Sequence, residues 1–118
     1  MGVSEDLGEQ LETVALSDGR IYRNRLPDPF TLPAITFQRM LTGFQYAHDG
    51  DLDLTASSWQ ITCWAVREDV AEELLGQVKI VLDNWAGAVV LPEDWRDFTD
   101  PDTGLSTSEL DVVIWYSH

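Results

Sequence analysis

The side chains that most often act in catalysis are few in this sequence of 118 residues, which contains one cysteine and two histidines. Nucleophilic catalysis needs a thiol or hydroxyl group with a base held beside it. Cys63 lies on the same face of a predicted strand as Trp59 and Ile61. This position is typical of a small buried hydrophobic residue. His48 lies in a predicted loop and His118 is the last residue, so neither is expected to be rigidly held. These positions indicate no nucleophile paired with a base.

Acidic residues at alternate positions, Asp49, Asp51 and Asp53, resemble the beginning of a calcium-binding loop. An EF-hand loop also requires glycine at its sixth position and glutamate at its twelfth. Leu54 and Gln60 occupy those positions, so an EF-hand is excluded. A solvated hairpin tip is the favoured interpretation of this segment, and a looser cation site is the alternative.

Other carboxylates lie where solvent or a turn explains them. Glu68, Glu72 and Glu73 could pair only on a helix face that is predicted to be solvated. Three further aspartates lie at or beside a predicted turn: Asp97, Asp100 and Asp102. The sequence contains no Gly-x-Ser-x-Gly motif, no phosphate-binding glycine loop and no His-Glu-x-x-His motif. We therefore expect no enzymatic activity, no cofactor and no metal site.

One predicted strand and the helix after it organise the chain. Between residues 57 and 65 apolar and polar side chains alternate, so that one face of a strand is largely apolar. From residue 70 onward apolar residues recur every three or four positions, as on one side of an α-helix, whereas Ile80 falls on its polar side. Such a strand and helix bury their apolar surfaces by packing together. The apolar helix residues are Val70, Leu74, Val78, Val81, Leu82 and Trp85.

The remaining segments supply more strands and a second helix. Residues 3–16 carry a thin apolar stripe before a stop signal, which predicts an N-terminal helical segment within residues 1–18. The sequence predicts one α+β domain over residues 1–118, with a mostly antiparallel sheet of four or five strands. The N-terminal helix and one long amphipathic helix pack on this sheet. Strands are predicted at residues 20–25, 34–41, 57–65, 95–99 and 105–116, with a long loop at residues 42–55. Residues 89–91 form either a brief strand or an apolar loop.

The sequence is strongly acidic, with 21 acidic and 7 basic side chains and a formal charge of −14. Binding to the nucleic-acid backbone needs clustered lysine and arginine, and the chain has a single lysine. Three interpretations of the acidic surface remain open. It solubilises the protein, it mimics DNA toward a basic partner, or it forms a wall that DNA slides past because like charges repel.

Features of the sequence also bear on its compartment. No apolar run approaches the roughly 18 residues that a membrane-spanning helix requires. The first residues lack the basic and then apolar regions of a secretion signal, and Glu5 and Asp6 would disfavour an anionic membrane. With one cysteine, an internal disulfide is impossible. These features predict a soluble protein made in the cytoplasm, with no membrane partner.

Aromatic residues are abundant, with five tryptophans in the chain. Trp59 and Trp64 occupy opposite faces of the central predicted strand. Trp85, Trp95 and Trp115 add more apolar area than one layer of helix covers. Either all five tryptophans belong to the core, or some of them lie at a protein–protein interface, where aromatic residues are enriched. Ile80 on the polar side of the helix favours self-association.

Several short motifs follow one another in a set order: Leu-Pro at 26–27, LPAITFQR at 32–39, CWA at 63–65, LDNW at 82–85, RDFTDPDTGL at 96–105 and IWY at 114–116. Their order and spacing resemble the tail-completion, or tail-terminator, proteins of long-tailed bacteriophages and prophages. The likeness covers nearly the whole chain from Gly19 onward. The N-terminal helix matches the family least, because it is short and more acidic.

The resemblance implies a structural virion protein and not an enzyme. Such proteins form a ring, usually of six copies, at the head-proximal end of the tail tube, where the ring ends tube polymerisation and meets the head connector. The implied partners are copies of the chain itself, the tail tube protein and a head-completion or connector protein. DNA passes through the ring without specific binding. The implied location is the head–tail junction of a virion assembled in the bacterial cytoplasm.

The resemblance and the exposed features together suggest contact residues. We predict that the long loop contributes to a ring or tail contact and that some acidic residues line the channel. The predicted contact residues are Tyr46, His48, Asp49, Asp51, Asp53 and Ile80. Two alternatives stay open: an acidic inhibitor that mimics DNA and binds a nuclease or repressor, and another subunit of the head–tail connector.

Overall fold

The computed structural model describes residues 3–40, 46–49, 54–99, 101–102 and 104–117. Two helices and six strands occur in this part of the chain. In chain order they are α1 (Val3–Glu12), β1 (Ile21–Arg23), β2 (Ala34–Arg39), β3 (Tyr46–Asp49), β4 (Leu54–Ala65), α2 (Glu68–Asp83), β5 (Ala88–Thr99) and β6 (Ser106–Ser117).

The strands form one sheet in the order β1-β2-β4-β6-β5, and β3 pairs with β4 as well. β2 pairs with the C-terminal half of β4 and β3 with its N-terminal end, so both lie along the same side of that long strand. Only β1 and β2 run parallel; the other pairs are antiparallel. The predicted α+β class, the mostly antiparallel sheet and the N-terminal helix are confirmed. The unpredicted strand β3 brings the sheet to six strands.

One face of the sheet, called here the helix-covered face, carries the hydrophobic core. Trp59 and Ile61 of β4 are fully buried there, as the predicted alternation requires. The opposing layer comes from the helices, with Leu7 and Leu11 of α1 and Leu74 of α2 in the same cluster. Burying a large apolar side chain stabilises a fold by roughly 1.5–3 kcal/mol. This face therefore supplies most of the stability of the protein.

Helix α2 begins after the strand because its local sequence favours a start there. Glu68 and Asp69 place negative charge in the first turn, where the helix dipole favours it. Arg67 donates hydrogen bonds to Asp69 and so lowers the pKa of the Asp69 carboxyl. At the other end, the side chain of Asn84 donates to the carbonyl of Ile80 at 3.0 Å. No helix in the described part of the chain is long and apolar enough to span a membrane.

Element bounds differ from the predictions in two places. Helix α1 ends at Glu12 instead of residue 16, and the chain then turns through Gly19, whose φ of +77° suits glycine. Residues 89–91, predicted as a brief strand or an apolar loop, and the strand predicted at residues 95–99 form the single strand β5, because a bulge between Pro92 and Asp94 absorbs the irregularity.

The prediction of a long loop at residues 42–55 is wrong for the part of that segment that the structure describes. Tyr46–Asp49 form β3, which pairs antiparallel with residues 54–57 of β4. The alternation of sequence there was too short to separate a strand from a loop, and pairing with β4 decided it. Residues 54–55 begin β4, and residues 42–45 and 50–53, including Asp51 and Asp53, lie outside the described residues.

Candidate functional site

The second face of the sheet, called here the open face, carries a ladder of polar side chains across its strands. Gln38 of β2 donates to Gln60 of β4 at 2.9 Å, and Gln60 reaches Glu109 of β6 at 3.4 Å. Arg96 of β5 lies directly opposite Glu109 in the strand register. Both described helices pack on the other face, so these polar groups stay accessible to water or to a partner.

Arg96 is the centre of this ladder. Its guanidinium donates to Glu109 at 3.0 Å, to Asp111 at 3.1 Å and to Asp94 at 2.8 Å. Hydrogen bonds to Asp111 and then to Glu109 raise the pKa of the Arg96 guanidinium above its usual value. One cation thus binds three carboxylates and joins β5 to β6. This is a structural network rather than an arrangement for proton transfer, because a guanidinium stays protonated.

Strand β5 forms one edge of the sheet and exposes apolar side chains along its length. Seven large hydrophobic residues of the described chain are exposed, and four of them lie on this strand. Single exposed apolar residues need no explanation, but a concentration of them marks an interaction site. They lie on both faces of the edge strand: Trp95 is opposite Leu110 on the helix-covered face, and the other three are on the open face. We call this group the β5 edge surface: Val89, Leu91, Trp95 and Phe98.

Trp95 is the largest side chain of the β5 edge surface and is held in place. Its ring is 50% exposed, and the Lys79 ammonium of α2 lies 3.5 Å from the ring centre. Its indole N–H donates to Asp97 at 3.2 Å. A fixed aromatic ring loses little side-chain entropy when it binds, which is a property of interface anchors.

The same strand carries features that limit indiscriminate strand pairing. Pro92 lacks a backbone N–H, and the bulge beside it interrupts the straight edge. Glu93 and Asp94 place negative charge at the bulge. Extension of the sheet by a passing strand is therefore disfavoured, whereas contacts made through side chains remain available.

An acidic cluster lies between α2 and β5. Carboxylate oxygens of Glu68, Glu72 and Asp97 lie within 4.8 Å of one another, and all three residues are exposed. Incomplete hydration, followed by the charges of Asp97 and Glu68, raises the pKa of the Glu72 carboxyl. Ser108 donates its hydroxyl to Asp97 at 2.5 Å. The cluster concentrates negative charge beside Trp95, on the helix-covered side of the β5 edge.

The opposite edge of the sheet carries arginines. Arg20 donates to the carbonyl of Pro33 at 2.9 Å and lies 3.7 Å from Asp18. Arg23 and Arg25 are exposed, and we call this pair the arginine edge. An open groove of about 280 Å³ lies beside Arg25. Its lining residues are Asn24, Arg25, Leu26, Pro27, Asp28, Phe30, Trp64 and Leu105.

The predicted contact residues lie in different parts of the structure, and some of them are outside the described residues. Tyr46, His48 and Asp49 lie in β3, of which only the backbone is described, and Asp51 and Asp53 fall outside the described residues. Ile80 is 62% exposed on α2, as its place on the polar side predicts. Burial raises the pKa of the Cys63 thiol, so this cysteine does not form a thiolate at neutral pH.

The sequence interpretation missed most of the exposed apolar residues. Of the five tryptophans, Trp59 and Trp85 are buried, but Trp95 is half exposed, so they are not all core residues. The available signal was the apolar run of Val89 to Leu91 directly before a proline, which marks a strand edge. Glu68 and Glu72 were recognised as neighbours, but Asp97 joins them only through the fold.

Comparisons with known proteins agree with this architecture. The family model described as "Tail completion protein gp17" matches residues 4–117. No curated protein matches the chain. Among solved structures, a chain of the "Virion of native gene transfer agent (GTA) particle" has a TM-score of 0.70 at 13% identity, covering 95% of this chain and 92% of that chain, which shows a shared fold. Because the family model spans nearly its full length, the chain belongs to the tail completion protein gp17 family, a family of structural proteins of the phage virion tail.

Proposed function

We propose that this protein forms a closed ring, of six copies, at the head-proximal end of the tail tube. The ring ends tube polymerisation and provides the joint to the head connector. The observation that carries the proposal is the pair of unlike surfaces at opposite edges of one sheet, in a chain of the tail completion family. Subunits that join through two different surfaces close into a ring when the rotation between them allows it.

The charge of the protein supports a channel for DNA. With a formal charge of −14, a ring of copies would repel the phosphate backbone at every approach. A repelled duplex moves through the opening without being held. The partners in this proposal are copies of the chain, the tail tube protein and the head connector. DNA passes through the ring without specific binding.

Strand β3 and helix α2 remain part of the proposed contacts. We infer that Tyr46, His48 and the acidic residues Asp49, Asp51 and Asp53 lie at a ring or tail contact, with Ile80 in a second contact. The support is the location of β3 at the N-terminal end of the long strand β4, away from the helix start, and the exposure of Ile80.

Loss of the protein tests the proposal directly. A phage or prophage that lacks it is expected to produce overlong tails or tails without heads, because nothing stops the tube or receives the head. Electron microscopy of the lysate measures tail length and attachment, and the wild-type protein supplied in trans restores both. Virions with normal tails and attached heads in its absence would contradict the proposed function.

Charge reversal tests the β3 contact separately. Asp49→Lys, Asp51→Lys and Asp53→Lys together are expected to reduce the yield of complete virions in the same complementation assay. Glu5→Lys, Glu9→Lys and Glu12→Lys on α1 form a control with the same change in net charge, at positions that are exposed. Equal virion yields from the two triple variants would remove β3 from the contact.

A further inference from the structure

Most basic side chains of the protein already have partners within the subunit. Arg67 pairs with Asp69, and Arg20 lies near Asp18. Arg96 binds three carboxylates of the open face. The other two with partners lie over tryptophan rings, Arg39 at 5.0 Å from Trp59 and Lys79 at 3.5 Å from Trp95.

The two residues of the arginine edge are the exceptions. Within the described residues, neither Arg23 nor Arg25 makes an ion pair or a side-chain hydrogen bond, and both are exposed. Acidic side chains outnumber basic ones by 21 to 7 in this chain. A shortage of carboxylates therefore does not explain why two arginines at one edge of the sheet have no ionic partner within the described part of the subunit.

The β5 edge of the sheet instead carries an excess of acidic side chains. Glu93 is exposed at the β5 bulge, and no ion pair in the described part of the chain involves it. Glu72 and its neighbours in the acidic cluster repel one another. A guanidinium from another molecule would relieve this repulsion and form charge-assisted hydrogen bonds, which are among the stronger ones in proteins.

Apolar surface accompanies the charge at both edges. The β5 edge surface exposes Trp95 beside its acidic residues. The arginine edge borders the groove that contains Phe30, which is also exposed. Interfaces combine an apolar centre with a polar rim, so each edge has both parts of an interface.

We propose that the ring contact joins these two edges, so that the arginine edge of one copy docks on the β5 edge surface and acidic cluster of the next. This assignment rests on the proposed function, since it names which surfaces close the ring. A two-fold contact between two β5 edges would face acid against acid, and like charges across an interface are unfavourable. The arrangement therefore favours head-to-tail contacts, which are the contacts that build rings.

Charge exchange tests the assignment. The arginine-edge variant carries Arg23→Glu and Arg25→Glu, and the β5-edge variant carries Glu72→Lys and Glu93→Lys. Each alone is expected to lower incorporation into virions by about 10- to 100-fold, because two contacts become repulsive at every subunit junction. A chain with all four substitutions restores opposite charges across the contact, and we expect it to recover most of the incorporation.

Controls separate this contact from general effects of charge. Glu9→Lys and Glu12→Lys on α1 change the net charge as the β5-edge variant does and are expected to leave incorporation near the wild-type level. Thermal melting of each purified variant establishes that it folds. Wild-type incorporation of either edge variant, or failure of the folded four-substitution chain, would overturn the edge assignment. If particles made with the wild-type protein contain no ring of copies, the proposed function itself fails.

Cross-linking gives an independent measurement. Cys63 is buried and unreactive, so a thiol introduced at the surface is the reactive one. A chain with both Arg25→Cys and Glu93→Cys, assembled into virions, is expected to give a ladder of linked copies with a short bis-maleimide. Either substitution alone is expected to give none. A strong dimer band from Glu93→Cys alone would indicate a two-fold contact between β5 edges and would contradict the proposal.

Discussion

Strands β5 and β6 belong to one hairpin, have 12 residues each and pair along nearly their whole length, yet their surroundings differ. Nine residues of β5 are exposed, whereas no residue of β6 from Ser106 to Trp115 is. β6 lies between two strands and under α2, while β5 has a strand on one side only. Position in the sheet, and not composition, separates a stabilising strand from one that is available to a partner.

The pair Trp95 and Leu110 shows the difference most clearly. They lie opposite each other in the register, on the same face of the hairpin. Leu110 is 2% exposed within the core, and the larger Trp95 is half exposed. The bigger hydrophobic residue thus contributes less to the isolated fold. Half of its surface stays available for a contact with another molecule.

The largest predicted effect comes from this pair. Leu110→Ala is expected to lower the free energy of unfolding by about 2–5 kcal/mol, since it removes buried contacts and leaves a cavity. Trp95→Ala is expected to cost less, about 1–2 kcal/mol, since half of its side chain already faces water, and to lose the contact with Lys79. Chemical denaturation followed by circular dichroism measures both. Similar costs for the two substitutions would show that β5 is buried in the free subunit.

A second test concerns the polar ladder that ties β5 to β6. Arg96→Met leaves Glu109 and Asp111 without their cation, and we expect a loss of about 1.5–3 kcal/mol, the range for hydrogen bonds to charged groups. Arg67→Met removes only an exposed pair with Asp69 and is expected to cost about 0–1 kcal/mol. The same denaturation assay compares them. A loss for Arg96→Met no larger than for Arg67→Met would mean that water replaces the ladder without penalty.

The smallest predicted effect depends on pH. The pKa of Glu72 is raised in the folded protein, so its ionised form is disfavoured there. Below the ordinary pKa of a carboxyl group both states hold the proton and no penalty exists. As the pH rises from that value through the folded pKa, the unfolded chain loses its proton first and stability falls. Glu72→Gln is therefore expected to raise the melting temperature slightly at neutral pH.

This gain should disappear in acid, where the carboxyl is protonated in both states. Melting curves at about pH 7 and about pH 3 measure the difference. Glu73→Gln, exposed on the same helix but outside the acidic cluster, is the control. An equal gain from both substitutions, or a gain that persists in acid, would assign the effect to helix propensity instead of repulsion.

Much of the fold follows from patterns within short stretches of the sequence. The alternation around Trp59 and Ile61 predicts the buried face of β4, and the helical spacing from Val70 to Leu82 predicts the packed side of α2. Both predictions succeed because side-chain direction repeats with a period set by the local backbone. The exposure of Ile80 follows from the same periodicity.

The candidate surfaces were less predictable. The sequence correctly predicts that Trp95 and Asp97 lie in a strand, but it does not indicate that this strand forms an edge of the sheet. Nor does it place Asp97 beside Glu72, about 25 positions earlier, since that proximity comes from packing α2 on the sheet. Strand β3 was likewise predicted as loop, because four residues carry too little periodicity without their partner strand.

By itself, the sequence determined the two helices, the alternation of the long strands, the scarcity of groups for catalysis and the family of the chain. The tertiary structure alone decided the strand order, and with it the exposure of β5 and the separation of the arginine edge from the acidic one. The physical reason is the distance along the chain over which each kind of interaction acts. Periodicity and turn chemistry act over a few residues, whereas strand order depends on pairings between segments far apart in the chain, such as β4 with β6.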